Sequence, residues 1–314
     1  MIARGRKSYR RDARHRSVID VTRLQFRGNR NAIGKTYACA GFLRGCVMSR
    51  LSFRSVFVSD VHLGLRDCQA GYLLDFLRSV QCERLYLVGD IVDFENMQKK
   101  PFWHTSHSDV LAEIFAIVAR GTRVTYIPGN HDALVRRFAG QRFGGVEIAL
   151  TAVHVAADGR RYRVSHGDEH DSENAAPAWL LKLGDALQGF ICGMNRRCNT
   201  LLRALGFSYK PLSIFIKERI GRANAFIRAF ESRVADAARA DGFDGHICGH
   251  IHYGRMAEHD GVRYINDGDW VEHCTALVEH FDGAFELLHW TERKRSIAMQ
   301  AAAAIEDVAL PVAA

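Results

Sequence analysis

Long apolar runs are missing from this 314-residue sequence. No stretch approaches the roughly 18 consecutive apolar residues of a spanning helix, and no amino-terminal block of roughly 7–15 reads as a secretory signal. The expected location is therefore cytoplasmic, in solution or peripheral on the inner face of the membrane. The eight cysteines, at 39, 46, 68, 82, 192, 198, 248 and 274, form no CxxC pair and keep no regular spacing. Neither a zinc knuckle nor a disulfide framework is indicated, which leaves reduced, partly buried thiols. Acidic residues are nearly absent from the first 50 positions, which hold 13 Lys+Arg against two Asp+Glu, whereas the rest holds 30 against 33. The net charge of +8 thus belongs to the tail, and the remainder is slightly acidic. A nucleic-acid or membrane argument attaches only to that tail, so nucleic acid is not an expected partner of the body.

What is present, 47% hydrophobic and 25% charged residues, suffices for one large core with an elaborated insertion. Residues 1–50 form a basic, disordered tail in this reading, with the composition of an organellar transit peptide. Met48 stands just ahead of the first convincing strand, which favours an over-extended start over a binding arm. Residues 51–170 and 242–290 read as the core, 171–241 as an insertion, and 291–314 as an Ala-rich tail carrying no signal. From Ser52 onward short β-rich runs alternate with helical stretches, the pattern of a layered α/β domain. The spacing predicts strands at Ser55–Ser59, Arg84–Val88, Arg123–Ile127, Arg161–Ser165 and Gly245–Cys248, with helices over Tyr72–Val80 and Ser108–Arg120.

Each predicted strand ends in polar residues: SDVHLG, GDIVDF, PGNHDAL, SHGDEHD and CGHIHYG, in that order. In a sheet with parallel strands the carboxyl ends share one edge, so these five segments can meet. Together they offer Asp60, His62, Asp90, Asn130, His166, His250 and His252. Two divalent ions accept such a mixture of carboxylate and imidazole, and a pair of them activates water and polarises a phosphoryl oxygen. Manganese is the expected metal, with iron or zinc as alternatives. Asp90 is the candidate bridging carboxylate, since it follows its strand immediately after Gly89. Asp60 and His62 alternate around Val61, so both face one way, and His250 and His252 repeat the arrangement. Gly64, Gly249 and Gly254 are expected to supply the conformational freedom such loops need.

One DxH or HxH alone carries little weight. DxH, GDxxD, GNHD, HGD and GHxH in sequence, each behind a β-like run, resemble the signature of the calcineurin-like metallophosphoesterases. The resemblance implies a four-layer αββα sandwich with the metals at its edge. It implies Asp60, His62, Asp90 and His252 around one ion, and Asp90, Asn130, His166 and His250 around the other. It also makes His131 a catalytic residue near the leaving group, oriented by Asp93, with Asn130 stabilising the developing charge. Across roughly residues 53–288 the chain is similar to the UDP-2,3-diacylglucosamine pyrophosphatase-like branch, through SDVHLGLRDCQAGYLLDFL, TRVTYIPGNHDALV, FGGVEI, HGDEHD and YINDGDWVEHCTALVEH. Characterised lipid A enzymes tend to have Arg where this chain has His131, and their sequence after GHxH differs from NDGDW.

The segment 171–241 is far longer than an ordinary connection and reads as an inserted helical cap. Trp179, Leu180, Leu183 and Leu187, and then Phe226, Phe230 and Val234, fall at helical spacing. Basic residues, among them Arg219 and Arg222, accompany them. Such a cap would receive acyl chains through Phe226 and Phe230 and diphosphate through the arginines, or rest on an anionic membrane. Arg66 is a further phosphate candidate, and His107 reads as a loop histidine. The expected activity is hydrolysis of a phosphodiester or pyrophosphate bond, releasing UMP and a lipid sugar phosphate, with no protein partner implied. The same chemistry on another phospholipid headgroup, a nucleotide or a phosphoprotein is the alternative. A non-catalytic scaffold on the same fold is the alternative of a different class.

Overall fold

The computed structural model describes residues 50–171, 221–291 and 293. These belong to the unit Met48–Ala314. The expectations for residues 1–47, for 294–314 and for most of the insertion, 172–220, fall outside the described residues.

Four parallel strands, β1 (Leu51–Val58), β2 (Val80–Val88), β3 (Arg123–Ile127) and β5 (Val146–Ile148), form the centre of the first sheet. Adding β4 (Arg142–Phe143), β11 (Thr275–Glu279) and β12 (Phe285–His289), all antiparallel to their neighbours, completes the order β12-β11-β1-β2-β3-β5-β4. The second sheet is built from β6 (Ala152–Val155), β7 (Arg161–Val164), β8 (Gly245–Cys248), β9 (Arg255–His259) and β10 (Val262–Asn266), in the order β6-β7-β8-β10-β9. Its central strands β7, β8 and β10 are parallel.

Side-chain alternation sorts these strands into layers. On β1, Val56 and Val58 meet helices α1 (Ala70–Ser79) and α3 (Thr105–Ala119), with the short α2 (Phe94–Lys99) between them in the chain, through Leu73, Phe76, Leu77, Val110 and Ile114. Phe57, between them, points the other way and meets Tyr86, Ile127, Tyr162, Val164, Ile247 and Ile265 in the layer between the sheets. Beyond the second sheet lies α4 (Gly221–Ala240), whose Phe230 and Val234 pack on Cys248 and Tyr264 while Ala235 and Ala238 pack on Val262. The result is the four-layer αββα sandwich. Each fully buried aliphatic or aromatic side chain contributes about 1.5–3 kcal/mol.

Arg123–Ile127 and Gly245–Cys248 stand as expected and the other expected elements shift at one or both ends; three differences bear on the site. β2 begins at Val80 rather than Arg84, because Leu51–Phe53 extend β1 far enough to pair with Val80–Cys82. The polar Gln81 and Glu83 hide that half of the strand from a search for apolar runs. α3 begins at Thr105, capped by the His104 side chain accepting from Ser106 N, so His107 is a buried helix residue rather than a loop histidine. The described end of the expected insertion, α4, covers the second sheet and is itself the outer layer of the sandwich.

Candidate metal centre

The loops after β1, β2, β3, β7 and β8 meet at the carboxyl edge of the two sheets. The loop after β1 runs along the loop after β2: Asp60 N donates to Gly89 O (3.0 Å), His62 N to Asp90 O (2.8 Å) and Leu63 N to Ile91 O (2.9 Å). Among the described residues seven non-glycine residues have positive φ, and five of them are Asp60, His62, Asp90, His250 and His252. Backbone in that region costs about 1–3 kcal/mol per residue and persists only where surroundings over-determine it. Here the strain turns side chains from two sheets onto one point.

The ligating atoms converge in two overlapping groups. His62 Nε2 lies 3.3 Å from His252 Nε2, 3.9 Å from Asp60 Oδ1 and 3.8 Å from Asp90 Oδ2. His166 Nε2 lies 3.4 Å from the same Asp90 Oδ2 and 3.2 Å from Asn130 Oδ1. Asp90 therefore stands between the groups through one oxygen, while its Oδ1 accepts from His131 N at 2.8 Å. His250 joins from β8, its ring 5.2 Å from that of His166. Asp60, His62, Asp90 and His166 are all buried.

The hydrogen bonds behind these groups fix which ring nitrogen faces inward. His166 Nδ1 donates to Val88 O at 2.9 Å, and His62 Nδ1 to Asp93 Oδ2 at 3.0 Å, so each presents Nε2 to the centre. His250 Nε2 is bonded to Asp171 Oδ2 at 2.8 Å, which leaves Nδ1 for a ligand. Asp60 Oδ1 is buried and receives no hydrogen bond of good geometry, although His252 Nε2 is 3.1 Å away. Carboxylate, amide and imidazole donors crowded around one point are the arrangement a cation resolves, and the residues present fit two divalent ions.

Electrostatics agree. Burial pushes the Asp90 carboxyl upward, but His166, His62 and His131 outweigh it and hold the group well below the usual range. Asp60 is lowered against burial by His252 and His166. Burial pulls His166 down, and Asp90, with Asp60 beyond it, raises it to about 10. Such closely packed carboxylates demand positive charge, and divalent ions meet the demand with neutral imidazoles.

His131 stands at the rim. Its Nδ1 is 3.0 Å from Asp93 Oδ1, so Asp93 orients His62 with one oxygen and His131 with the other. Burial lowers the His131 pKa, while Asp93, Asp90 and Glu95 outweigh that and leave it raised.

Further residues brace these loops, and the sequence reading gives Asp132 and His107 no such role. Asp132, the last residue of GNHD, accepts from Gly129 N (2.5 Å), Ile91 N (2.8 Å) and the Tyr126 hydroxyl, bracing two ligand loops. His107 accepts from Gly64 N at 3.2 Å and so holds the DxH loop from α3. Asn266 donates to Gly249 O at 2.5 Å, directly beneath GHxH. Gly249 is needed for space rather than for freedom: it has no positive φ, and a Cβ there would meet Asp60 Oδ2 and Ser59 Oγ. Gly89 needs both, with φ of 87° and His166 against the place of a Cβ.

The outlying candidates separate. Arg66 stacks over the Phe102 ring at 4.9 Å. Phe226 is half exposed, whereas Phe230 is fully buried against the second sheet, its ring 6.1 Å from that of His250. Phe230 thus supports the GHxH loop from below and offers no surface to an acyl chain. The Arg222 side chain and Arg219 lie outside the described residues. Among the described residues no helix is long and apolar enough to cross a membrane.

The model of the family described as calcineurin-like phosphoesterase matches residues 53–254. A UDP-2,3-diacylglucosamine hydrolase from Pectobacterium carotovorum subsp. carotovorum is 30% identical over 119 residues, 36% of this chain and 48% of that protein. The chain thus matches about half the length of that relative. One of the same name from Aeromonas salmonicida is 26% identical over 235 residues, 71% of this chain and 89% of that protein. Among solved structures, an archaeal phosphodiesterase is similar at a TM-score of 0.35 and 13% identity, covering 74% of this chain and 98% of that one.

Proposed function

The chain belongs to the calcineurin-like phosphoesterase family, and from that premise we propose that it is a dinuclear-metal phosphoesterase hydrolysing a diphosphate bond in a nucleotide-linked lipid of the UDP-2,3-diacylglucosamine type. The observation that carries the reading is the convergence of seven donor side chains from five loops, with Asp90 Oδ2 between the two groups. Asp60, His62, Asp90 and His252 would hold one ion, and Asp90, Asn130, His166 and His250 the other. When bound, the ions acidify water and neutralise charge developing on the phosphoryl oxygens. Manganese is the favoured metal of this proposal.

The protein's own groups do the rest. The Asp93 carboxylate accepts from His131 Nδ1, which leaves Nε2 as the atom that hands a proton to the departing oxygen. The bond from His131 N to Asp90 Oδ1 fixes that imidazole relative to the paired site. Water supplies the oxygen that joins phosphorus, and His131 supplies the proton that leaves with the product. For the lipid nucleotide the products are UMP and a lipid sugar phosphate. The substrate assignment is supported by the names of the relatives, and contact with an anionic membrane belongs to the same proposal.

The test uses chelated protein, with and without added manganese, on UDP-diacylglucosamine, its deacylated analogue and an aryl phosphodiester. Manganese-dependent turnover is expected on the first, with a clear preference over the second. Equal rates on both would remove the lipid assignment. Full activity in protein shown by elemental analysis to hold no metal would remove the mechanism.

A further inference from the structure

A second cluster of ligating side chains lies behind the strand end that carries His166, on the opposite face of the second sheet. Tyr162 and Val164 of β7 fill the layer between the sheets, so Arg163 and Ser165 face the other way. His246 on β8 is the register partner of Arg163, and its neighbour Ile247 enters the inter-sheet layer, so His246 faces out with it. The 3-10 turn Asp168–His170 then brings Glu169 and His170 back over these strands. One oxygen of Glu169 and one nitrogen each of His170 and His246 lie within 4.8 Å of one another. Ser165 Oγ joins the group, 2.7 Å from His246 Nε2 and hydrogen-bonded to Glu169.

A satisfied polar core would look different. His170 Nε2 is buried, 3.6 Å from Glu169 Oε1, and has no hydrogen-bond partner. A buried polar atom left unpaired destabilises the fold unless something else binds it. Burial holds His246 down at about 3, and burial also lowers His170, so both rings are neutral and hold lone pairs. Burial raises Glu169, but the Ser165 hydroxyl and a backbone N–H outweigh it and keep the carboxylate ionised. The turn is set in advance, with Gly167 N donating to Glu169 Oε2 at 3.1 Å and Arg233 Nε to His170 O at 2.9 Å.

We propose that Glu169, His170 and His246 bind one zinc ion, at a site separate from the paired-ion centre. Two neutral imidazoles and one carboxylate, with a position left for water, are a donor set that zinc accepts, whereas manganese favours more oxygen. Arg163 lies 3.8 Å from Glu169 but is engaged at 2.6 Å by Asp241, so its competition for the carboxylate weakens the site without closing it. Glu169, with its side chain 36% exposed, is the entry. Ser165 belongs to this cluster and the next residue, His166, to the paired centre. A zinc ion here would clamp the loop carrying His166 onto β8 without touching substrate.

The full chain, stripped by a chelator and titrated with zinc chloride, is counted by native mass spectrometry. The wild type should hold one more ion than His246→Val or Glu169→Gln. Equal counts in wild type and variants would overturn the proposal. The count is a difference, so it stands whether or not the paired centre fills: Asp90→Ala, which empties that centre, should still lose one ion when Glu169→Gln is added. Thermal melting without zinc checks folding. If His246→Val does not fold, Glu169→Gln decides, because Gln keeps an acceptor oxygen for Gly167 N and its NH2 can donate to Ser165 Oγ.

Discussion

Along β1, Val56, Phe57 and Val58 are fully buried within a regular strand, and two residues later Asp60 is just as buried but charged, with φ of 49°. The same step is repeated from Val88 to Asp90 on the neighbouring strand, where φ is 54°. Strand bodies remove apolar surface from water, whereas strand ends hold strained backbone and crowded carboxylates in the same layer of the molecule. The difference teaches where folding free energy comes from and where it is consumed. Bodies stabilise; ends position ligands at a cost of about 1–3 kcal/mol per strained residue. Substitutions at the two places should therefore separate activity from stability.

Asp90→Ala is the sharpest way to test that separation. It removes the oxygen common to both groups, so turnover should fall at least about 10³-fold and both ions of the pair should be lost together. Metal-free stability should fall by less than it does for a buried strand-body residue, because losing the His166 pairing and the bond from His131 N is offset by relief of the like charge on Asp60. A large drop in metal-free melting temperature would place Asp90 among the stabilising residues and break the comparison. His131→Ala follows. Turnover should drop about 10²–10⁴-fold on a substrate with a poor leaving group and much less on an activated aryl ester, with metal content unchanged. Equal losses on both would assign His131 to charge stabilisation instead of proton transfer.

Phe57→Ala is the converse experiment in a strand body. The ring is fully buried and stacked on Tyr86, with centroids 4.7 Å apart. Its loss should destabilise the fold by about 3–5 kcal/mol, measured by urea unfolding. Turnover per folded molecule should be unchanged. If activity falls in proportion to stability at low denaturant, body and end are coupled rather than separate.

The ends were more legible in the sequence than the layers that support them. Asp60, His62, Asp90, Asn130, His166, His250 and His252 stand beside glycines at regular places behind apolar runs, and ligand chemistry restricts the residue types allowed there. The structure brings all seven to one edge. Supporting groups obey no such restriction. Asp132 braces through backbone N–H groups that any carboxylate of the right reach would satisfy, and His107 acts from a helix 43 residues away in sequence from Gly64. Helix periodicity placed Phe226 and Phe230 on one face but not against a partner. Phe230 turned out to pack on the sheet, since periodicity states which residues share a face and not what covers it.

One buried charge lies in a strand body and gives the finest test of the comparison. Glu279 of β11 is fully buried, with Arg54 Nη1 at 2.6 Å from Oε1, His154 Nε2 at 2.9 Å from Oε2 and Ala157 N donating to Oε1 at 2.8 Å. Because His154 belongs to β6 and Arg54 to β1, the carboxylate ties the two sheets together. Burial raises its pKa, but His154, the Ala157 N–H and Ser55 outweigh burial and hold it at about 2, below the ordinary 4.5. A carboxylate depressed in the folded state adds stability that is fully present above its unfolded pKa and is lost as pH falls through the folded one. The window is therefore about pH 4.5 down to about pH 2, and the contribution is on the order of 3 kcal/mol. Glu279→Gln should be less stable than wild type by about that amount at pH 7, measured by urea unfolding, and the gap should close as pH falls through the window. The paired-site carboxylates titrate in both proteins and cancel in the difference. A gap independent of pH would mean that Glu279 acts through shape and hydrogen bonding alone, and that strand bodies here owe nothing to charge.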